Sequence, residues 1–224
     1  TTAKLFWDAS AESLGIGTSS PQALIDISSA TTSTLRLSNS DTSLTENQIT
    51  GQLEFYQGDT SSQGTGITGK IAMRSVPLTG GGYFGNAADM DFYVSGDSNG
   101  YASNNATLKA ITIQGGSGRV GIGTDSPTRA LEINTDGTQQ LRLTRTDSTI
   151  NGGNTVGTIE FVGTDDTSGT VGATISAHAS STWGGGSYPT DLRFSTMTGS
   201  TLSERMRINS SGNLLVNTTS QIAD

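Results

Sequence analysis

The phrase GIGTSSP, running from Gly15 to Pro21, returns as GIGTDSP from Gly121 to Pro127, 106 residues later. The same offset joins Ile27 to Ile133, LRL at Leu35 to Leu37 to LRL at Leu141 to Leu143, Asp41 to Asp147, and Glu54 and Phe55 to Glu160 and Phe161. Between residues 15–59 and 121–165 the match needs no gap and keeps 16 identities in 45 positions. A third start, GNLLVNTTS at 212–220, lines up with GRVGIGTDS at 118–126 at an offset of 94. Repetition constrains a fold strongly, because each repeat is one supersecondary unit whose open faces must be met by neighbours. The pattern predicts a lead-in from a preceding unit at 1–14 and a first unit at 15–120. A second unit follows at 121–211, and the opening of a third unit or a C-terminal extension occupies 212–224.

Inside each unit the apolar residues alternate, which is the period of a half-buried strand. Leu35 pairs by face with Leu37, Leu53 with Phe55, Ile71 with Met73, Phe92 with Val94 and Ile111 with Ile113. The second unit repeats this with Leu131 and Ile133, Leu141 and Leu143, Ile159 and Phe161, Leu192 and Phe194, and Met206 and Ile208. Gly, Asn, Asp and Ser punctuate the runs as turn signals, and no long 3.6-residue periodicity competes. The expected class is all-β, with units of about 100 residues built from short strands whose spacing is too irregular for a propeller or solenoid.

Composition then decides how such units become stable. Only 32% of the 224 residues are hydrophobic and 14% charged, while Ser, Thr and Gly fill 95 positions. Burial has to offset chain entropy, and a chain this poor in apolar side chains makes a meagre core alone. Association with identical copies is the expected remedy. The net charge of −8, with 12 basic residues spread along the chain, argues against nucleic acid as a partner. No apolar run reaches the length of a membrane span, so membrane insertion is not expected. Without cysteine there are neither disulfides nor thiolate metal sites.

The glycine phrase has two physical readings. Gly121 and Gly123 alternate with Val120 and Ile122, leaving one bare face and one apolar face on a strand; Gly15, Ile16 and Gly17 do the same. Copies wound around a common axis could bring such bare faces together, as collagen does with its glycines. Equally, two glycines and a proline mark a tight turn before the next strand.

The phrases LFWDASAESLGIGTSSP, LRLSNSD, GTIEFVGTDD and ERMRINSSGNLLVNTTS resemble repeated units of tail fibres and related fibrous virion proteins of marine and cyanobacterial phages. The resemblance extends over nearly the whole chain. It implies an elongated, intertwined homotrimeric fibre, extracellular and carried on the virion as a tail or head fibre. Such a fibre contacts other virion proteins and the host surface, attaching directly or serving as a rigid shaft for a receptor-binding tip. Fibres of this kind often end in a self-cleaving intramolecular chaperone. None follows Asp224, so the chain is expected to be a mature or excised part.

Candidate contact residues lie where the units diverge. Tyr83 and Phe84 in the first unit, and Trp183 and Tyr188 in the second, each sit beside a triple-glycine loop. Aromatic rings stack on sugar faces, so a host-surface glycan is one reading; rings capping a small β core are the other. Arg36 with Glu54, and Arg142 with Glu160, recur on the face opposite the leucines and suggest a cross-strand or cross-chain ion pair.

Catalysis finds little support. His178 is the one histidine, Asp165 with Asp166 would point to opposite faces, and Asp89 with Asp91 has no acidic counterpart at its aligned place. The spacing of Gly64, Gly66 and Gly69 matches a dinucleotide loop, but the KIAMR that follows reads as strand rather than the helix a phosphate cradle needs. No metal and no cofactor is expected. A non-catalytic structural fibre leads; a glycan-degrading phage fibre and a bacterial adhesin or filament are the alternatives.

Overall fold

The computed structural model describes residues 4–58, 66–77, 87–95, 108–138, 140–164 and 169–217. These form three open sheets, and none of the described residues is helical, so the chain is all-β. It divides into two compact units, Thr1–Gln139 and Gln140–Asp224.

The first unit contains two sheets. In the smaller, β1 (Leu5–Asp8) pairs antiparallel with β2 (Ser13–Ile16), and β2 pairs parallel with β3 (Ile25–Ile27). The larger is a six-stranded meander in chain order: β4 (Ile49–Gln57), β5 (Gly66–Ser75), β6 (Ala88–Val94), β7 (Leu108–Ile113), β8 (Val120–Ile122) and β9 (Leu131–Ile133). Its strands are antiparallel until β9, which joins β8 in parallel. The second unit holds one antiparallel sheet, also in chain order: β10 (Thr155–Gly163), β11 (Thr170–Ala179), β12 (Thr190–Thr198), β13 (Thr201–Ile208) and β14 (Leu214–Val216).

Each unit repeats the other in register, not merely in composition. Leu53, Ile71, Phe92, Ile111 and Ile122 stand opposite one another in a single row across β4–β8; Ile159, Ile175, Phe194, Met206 and Val216 form the same row across β10–β14. The register shifts recur too. They fall between Ile49 and Gly51 and between Phe55 and Tyr56 on β4, and between Thr155 and Gly157 and between Phe161 and Val162 on β10. Bulges of this kind re-aim side chains and raise local twist. The β1–β2–β3 sheet likewise matches β7–β8–β9: Phe6 opposes Gly15 as Thr112 opposes Gly121, and Leu14 opposes Ile25 as Val120 opposes Leu131.

Burial is inverted relative to an ordinary sheet. Among the described residues the buried apolar side chains are Ala72, Pro127, Ile150, Ala179 and Leu215, whereas Arg74, Ser75, Asp89, Asp91, Thr112, Thr174, Ser176 and Asp191 are all buried polar groups. The chain's own turns cover the polar face, with Asn47, Gly115 and Ser210 hydrogen-bonded onto it. The apolar face stays open: Leu53, Phe55, Ile159 and Phe161 are 47%, 57%, 44% and 54% exposed.

One expectation differs from the structure. Leu35 to Leu37 and Leu141 to Leu143 alternate like strands, yet neither run joins a sheet. No hydrogen bond involves the backbone of residues 32–38 or 140–146 among the described residues. Alternation specifies which side chains share a face, but a strand also needs a partner for its main chain. Here none is supplied among the described residues. Each run lies instead against the sheet at a glycine: a Cβ on Gly51 would come within 3.3 Å of Leu37 Cβ, and one on Gly157 within 3.3 Å of Leu143 Cβ.

Candidate functional site

The glycine phrase closes β2 and opens the loop that leads to the parallel strand β3, and does the same between β8 and β9. A Cβ on Gly15 would lie 2.3 Å from the Thr18 carbonyl oxygen, and one on Gly121 would lie 2.2 Å from that of Thr124. Gly17 and Gly123 have φ of +79° and +72°, and a Cβ there would sit 2.1 Å from the carbonyl oxygens of Ser28 and Asn134. Glycine is needed at all four positions because the same chain returns its backbone to them. At these four glycines the space a Cβ would fill is met by the chain's own carbonyls. Ile16 and Ile122 between the glycines are each 36% exposed.

Of the aromatic loop residues, Tyr83 and Phe84 lie outside the described residues. Trp183 and Tyr188 flank a two-residue hairpin in which Gly184 and Ser187 exchange both backbone hydrogen bonds, at 3.1 and 3.0 Å. Gly185 and Gly186 supply the positive φ of +59° and +84° that such a turn requires. The rings meet edge to face with centroids 5.6 Å apart, and the Trp183 indole N–H donates to the Pro189 carbonyl at 3.2 Å. Trp183 is half-buried by this packing, while Tyr188 is 63% exposed.

Arg36, Glu54, Arg142 and Glu160 are all exposed. Neither Arg36 and Glu54 nor Arg142 and Glu160 form an ion pair within the chain. Glu54 accepts instead from Gln52 of its own strand.

The most developed electrostatic feature is the covered polar face, whose assembly the sequence reading missed. In the first unit, Arg74 on β5 donates through Nε to Asp91 and through Nη2 to Asp89, both at 2.7 Å. Its Nη1 reaches Asn47 at 2.8 Å. Asp91 also accepts from Thr112 Oγ1 at 2.7 Å and Tyr93 Oη at 3.3 Å, and lies 3.3 Å from Lys109 Nζ. Burial alone would raise the Asp91 carboxyl, but the bonds from Arg74 and Thr112 and the charges of Arg74 and Lys109 hold it below the usual carboxylate range. Both aspartates are therefore paired with the buried Arg74 guanidinium.

The second unit builds the same face with charges rearranged. Register places Asp191 where Asp89 stands, so Asp89 does have an acidic counterpart; Arg193 replaces Asp91, His178 replaces Arg74, Glu204 replaces Lys109 and Arg207 replaces Thr112. Arg207 bridges Asp191 at 2.9 Å and pairs with Glu204; Arg193 lies 3.2 Å from Asp191 and 3.6 Å from Glu204. The register shift between Phe194 and Ser195 turns Glu204 onto this face, as the equivalent shift between Phe92 and Tyr93 does for Lys109. The i, i+2 spacing of Asp89 with Asp91 and of Asp191 with Arg193 was a visible signal of one shared face. The bulges that complete the set were not visible.

His178 is a structural group in this network, 3.0 Å from Ser176 Oγ. Burial first, and then the charge of Arg193, push its imidazole below the ordinary value. A depressed imidazole contributes stability that is present above the unfolded value of about 6.5 and is lost as pH falls toward the native value. The depressed Asp91 carboxyl contributes stability present above about 3.9 and lost below it. The second unit is therefore expected to weaken first on acidification. In a Trp7→Phe chain, with Trp183 as sole indole reporter, the urea midpoint should drop between pH 7.5 and 5.5. The drop should vanish on adding His178→Gln; its persistence would exclude His178 as the source.

Asp165, Asp166 and Gly64 lie outside the described residues. Gly66 and Gly69 are on strand β5, with no helix after them. Among the described residues no group of three or more His, Cys, Asp or Glu side chains is placed to hold a metal ion, and no helix is long and apolar enough to cross a membrane.

No family model matches this chain, and no curated protein matches it. Among solved structures it is similar to the carboxy-terminal domain of the bacteriophage T5 L-shaped tail fibre with its intramolecular chaperone domain. That match has 12% identity and a TM-score of 0.39, and covers 88% of this chain and 63% of that one. The carboxy-terminal domain of the same fibre is similar at 12% identity and a TM-score of 0.38, over 89% of this chain and 91% of that one. The chain thus spans less than two thirds of the first of these structures.

Proposed function

We propose that this chain is a subunit of a non-catalytic structural fibre of a phage virion, in which identical copies, three by our reading, associate through their apolar sheet faces. The inverted burial carries the proposal. A sheet that covers its polar face with its own turns and leaves Leu53, Phe55, Ile159 and Phe161 open is built to be covered by something apolar.

The resemblance of the repeated phrases to fibrous virion proteins supplies the setting: an extracellular fibre, on tail or head, acting in host attachment or as a shaft for a receptor-binding tip. Ile16 and Ile122 are inter-chain packing residues in this reading. The exposed Tyr188 ring, with its half-buried partner Trp183, is the candidate host-glycan contact, and copy number multiplies any weak contact into avidity.

Light scattering across a dilution series tests the core of the proposal. The expected mass is three times 23.0 kDa, holding well into the nanomolar range. A species of one-chain mass at every concentration, with unchanged circular dichroism, would sink it.

A further inference from the structure

The two extended runs that belong to no sheet, and the two sheet edges that have no partner, fit each other across copies. We infer that residues 32–38 and 140–146 of one copy add as strands to the outer edges of β4 and β10 of a second copy, with Arg36 opposite Glu54 and Arg142 opposite Glu160. This rests on the self-association proposed above and names the surfaces that carry it.

Four observations converge. First, the runs belong to no sheet and are mostly exposed, and their backbones make no hydrogen bond among the described residues. Such groups are satisfied by a strand edge, and edge addition is a recurring mode of recognition. Second, among the described residues β4 pairs only with β5, and β10 only with β11. Those edges, LEFYQ and IEFVG, are long and apolar, the kind that natural proteins do not leave bare.

Third, the faces match in one register. Opposing residues share a face, so setting Arg36 against Glu54 places Leu35 and Leu37 beside Leu53 and Phe55. In the second unit it places Leu141 and Leu143 beside Ile159 and Phe161. The apolar rows each gain a strand, and the charges meet on the other face. A slip by one residue would put leucines among charges and arginine among leucines.

Fourth, the charges are complementary, exposed and without an ion-pair partner among the described residues, and both halves of the match recur at the same 106-residue offset. Within one chain this register is not reached. Leu37 rests at Gly51, and Asn39 Nδ2 is tied to the Ile49 carbonyl at 3.4 Å. Leu143 rests likewise at Gly157, and Arg145 Nη1 is tied to the Thr155 carbonyl at 2.6 Å. Each run is held near the start of the edge strand, short of the glutamate.

Because the chain has no cysteine, paired substitutions give a clean readout. Full-length chains carrying Arg36→Cys with Glu54→Cys, or Arg142→Cys with Glu160→Cys, are treated with a short bis-maleimide and run on denaturing gels. Covalent species of more than one chain are expected from either pair, and none from the four single variants. Covalent species from Arg36→Cys alone would mean that copies meet run to run, and would overturn the inference. So would products confined to one-chain mass in both pairs. Light scattering on the untreated samples separates the two readings: if assembly persists without cross-links, the edge pairing fails and the fibre stands; if no assembly forms, both fail.

Discussion

Asp91→Ala should cost the first unit about 3–5 kcal/mol, the range seen when one partner of a buried ion pair is removed and the other is left behind. Asp91 is fully buried and takes hydrogen bonds from Arg74, Thr112 and Tyr93, with Lys109 alongside. Removing it takes the carboxylate from Nε of a guanidinium that is itself 8% exposed and leaves Asp89 as its one remaining carboxylate partner. The gain from the network is smaller than that loss, since replacing a buried ionic set with well-packed apolar groups is often neutral. Asp125→Ala is the internal comparison. It removes another carboxylate from Lys109, but one whose side chain is 55% exposed, and should change stability by no more than about 1 kcal/mol. Urea titrations at fixed protein concentration measure both, and hydrogen exchange should place the Asp91 effect on β5, β6 and β7. Equal, small effects of the two variants would show that the buried network is not what holds the polar face shut.

Gly123→Val should be as damaging, for a reason that burial does not predict. Gly123 is not a buried residue. Its φ of +72° is a region in which β-branched residues are genuine outliers, and occupying it costs about 1–3 kcal/mol before any contact is considered. The new Cβ would also stand 2.1 Å from the Asn134 carbonyl oxygen, on backbone that cannot swing aside. The parallel pairing of β8 with β9 is expected to come apart, exposing amides of Val120–Ile122 and Leu131–Ile133 to exchange. Gly116→Ala, at a turn glycine with nothing within 4 Å of its absent side chain, should be near neutral. If Gly123→Val and Gly116→Ala unfold at the same urea concentration, the turn does not need glycine.

Much of this architecture was legible in the sequence, and the parts that were not share a cause. Period-2 alternation located the strands around Leu53, Ile71, Phe92, Ile111, Ile159 and Phe194, because a pleated chain prints its two faces directly on residue order. The same signal over-reached at Leu35 and Leu141, where the alternation is present but no strand pairs with it among the described residues. Pairing is a property of two segments, and a one-dimensional pattern reports only one of them. The glycine phrase was readable as either a turn or an axis contact, since both need a missing Cβ; only the positions of the Thr18, Ser28, Thr124 and Asn134 carbonyls distinguish them. The polar face was hidden for a different reason. Aligning the units by identity compares residues of the same type, whereas Asp91 with Arg193, Lys109 with Glu204 and Arg74 with His178 are equivalent in place and altered or opposite in charge. A network conserves complementarity rather than residue identity, so partners change together and similarity disappears. Connections of unequal length broke the simple offset, which is 106 from Leu53 to Ile159 but 102 from Phe92 to Phe194 and 95 from Ile111 to Met206.

The likeness of the β4 and β10 edges carries a hazard along with its use. Under the edge pairing inferred above, a molecule arriving one unit out of step would meet the same alternation and the same glutamate. An aligned set would consume every edge and stop growing. A staggered set would leave a vacant edge at each extremity, and contacts that do not close on themselves propagate into open polymers. Two look-alike docking strips on one polypeptide would then make termination, rather than attraction, the step that has to be governed.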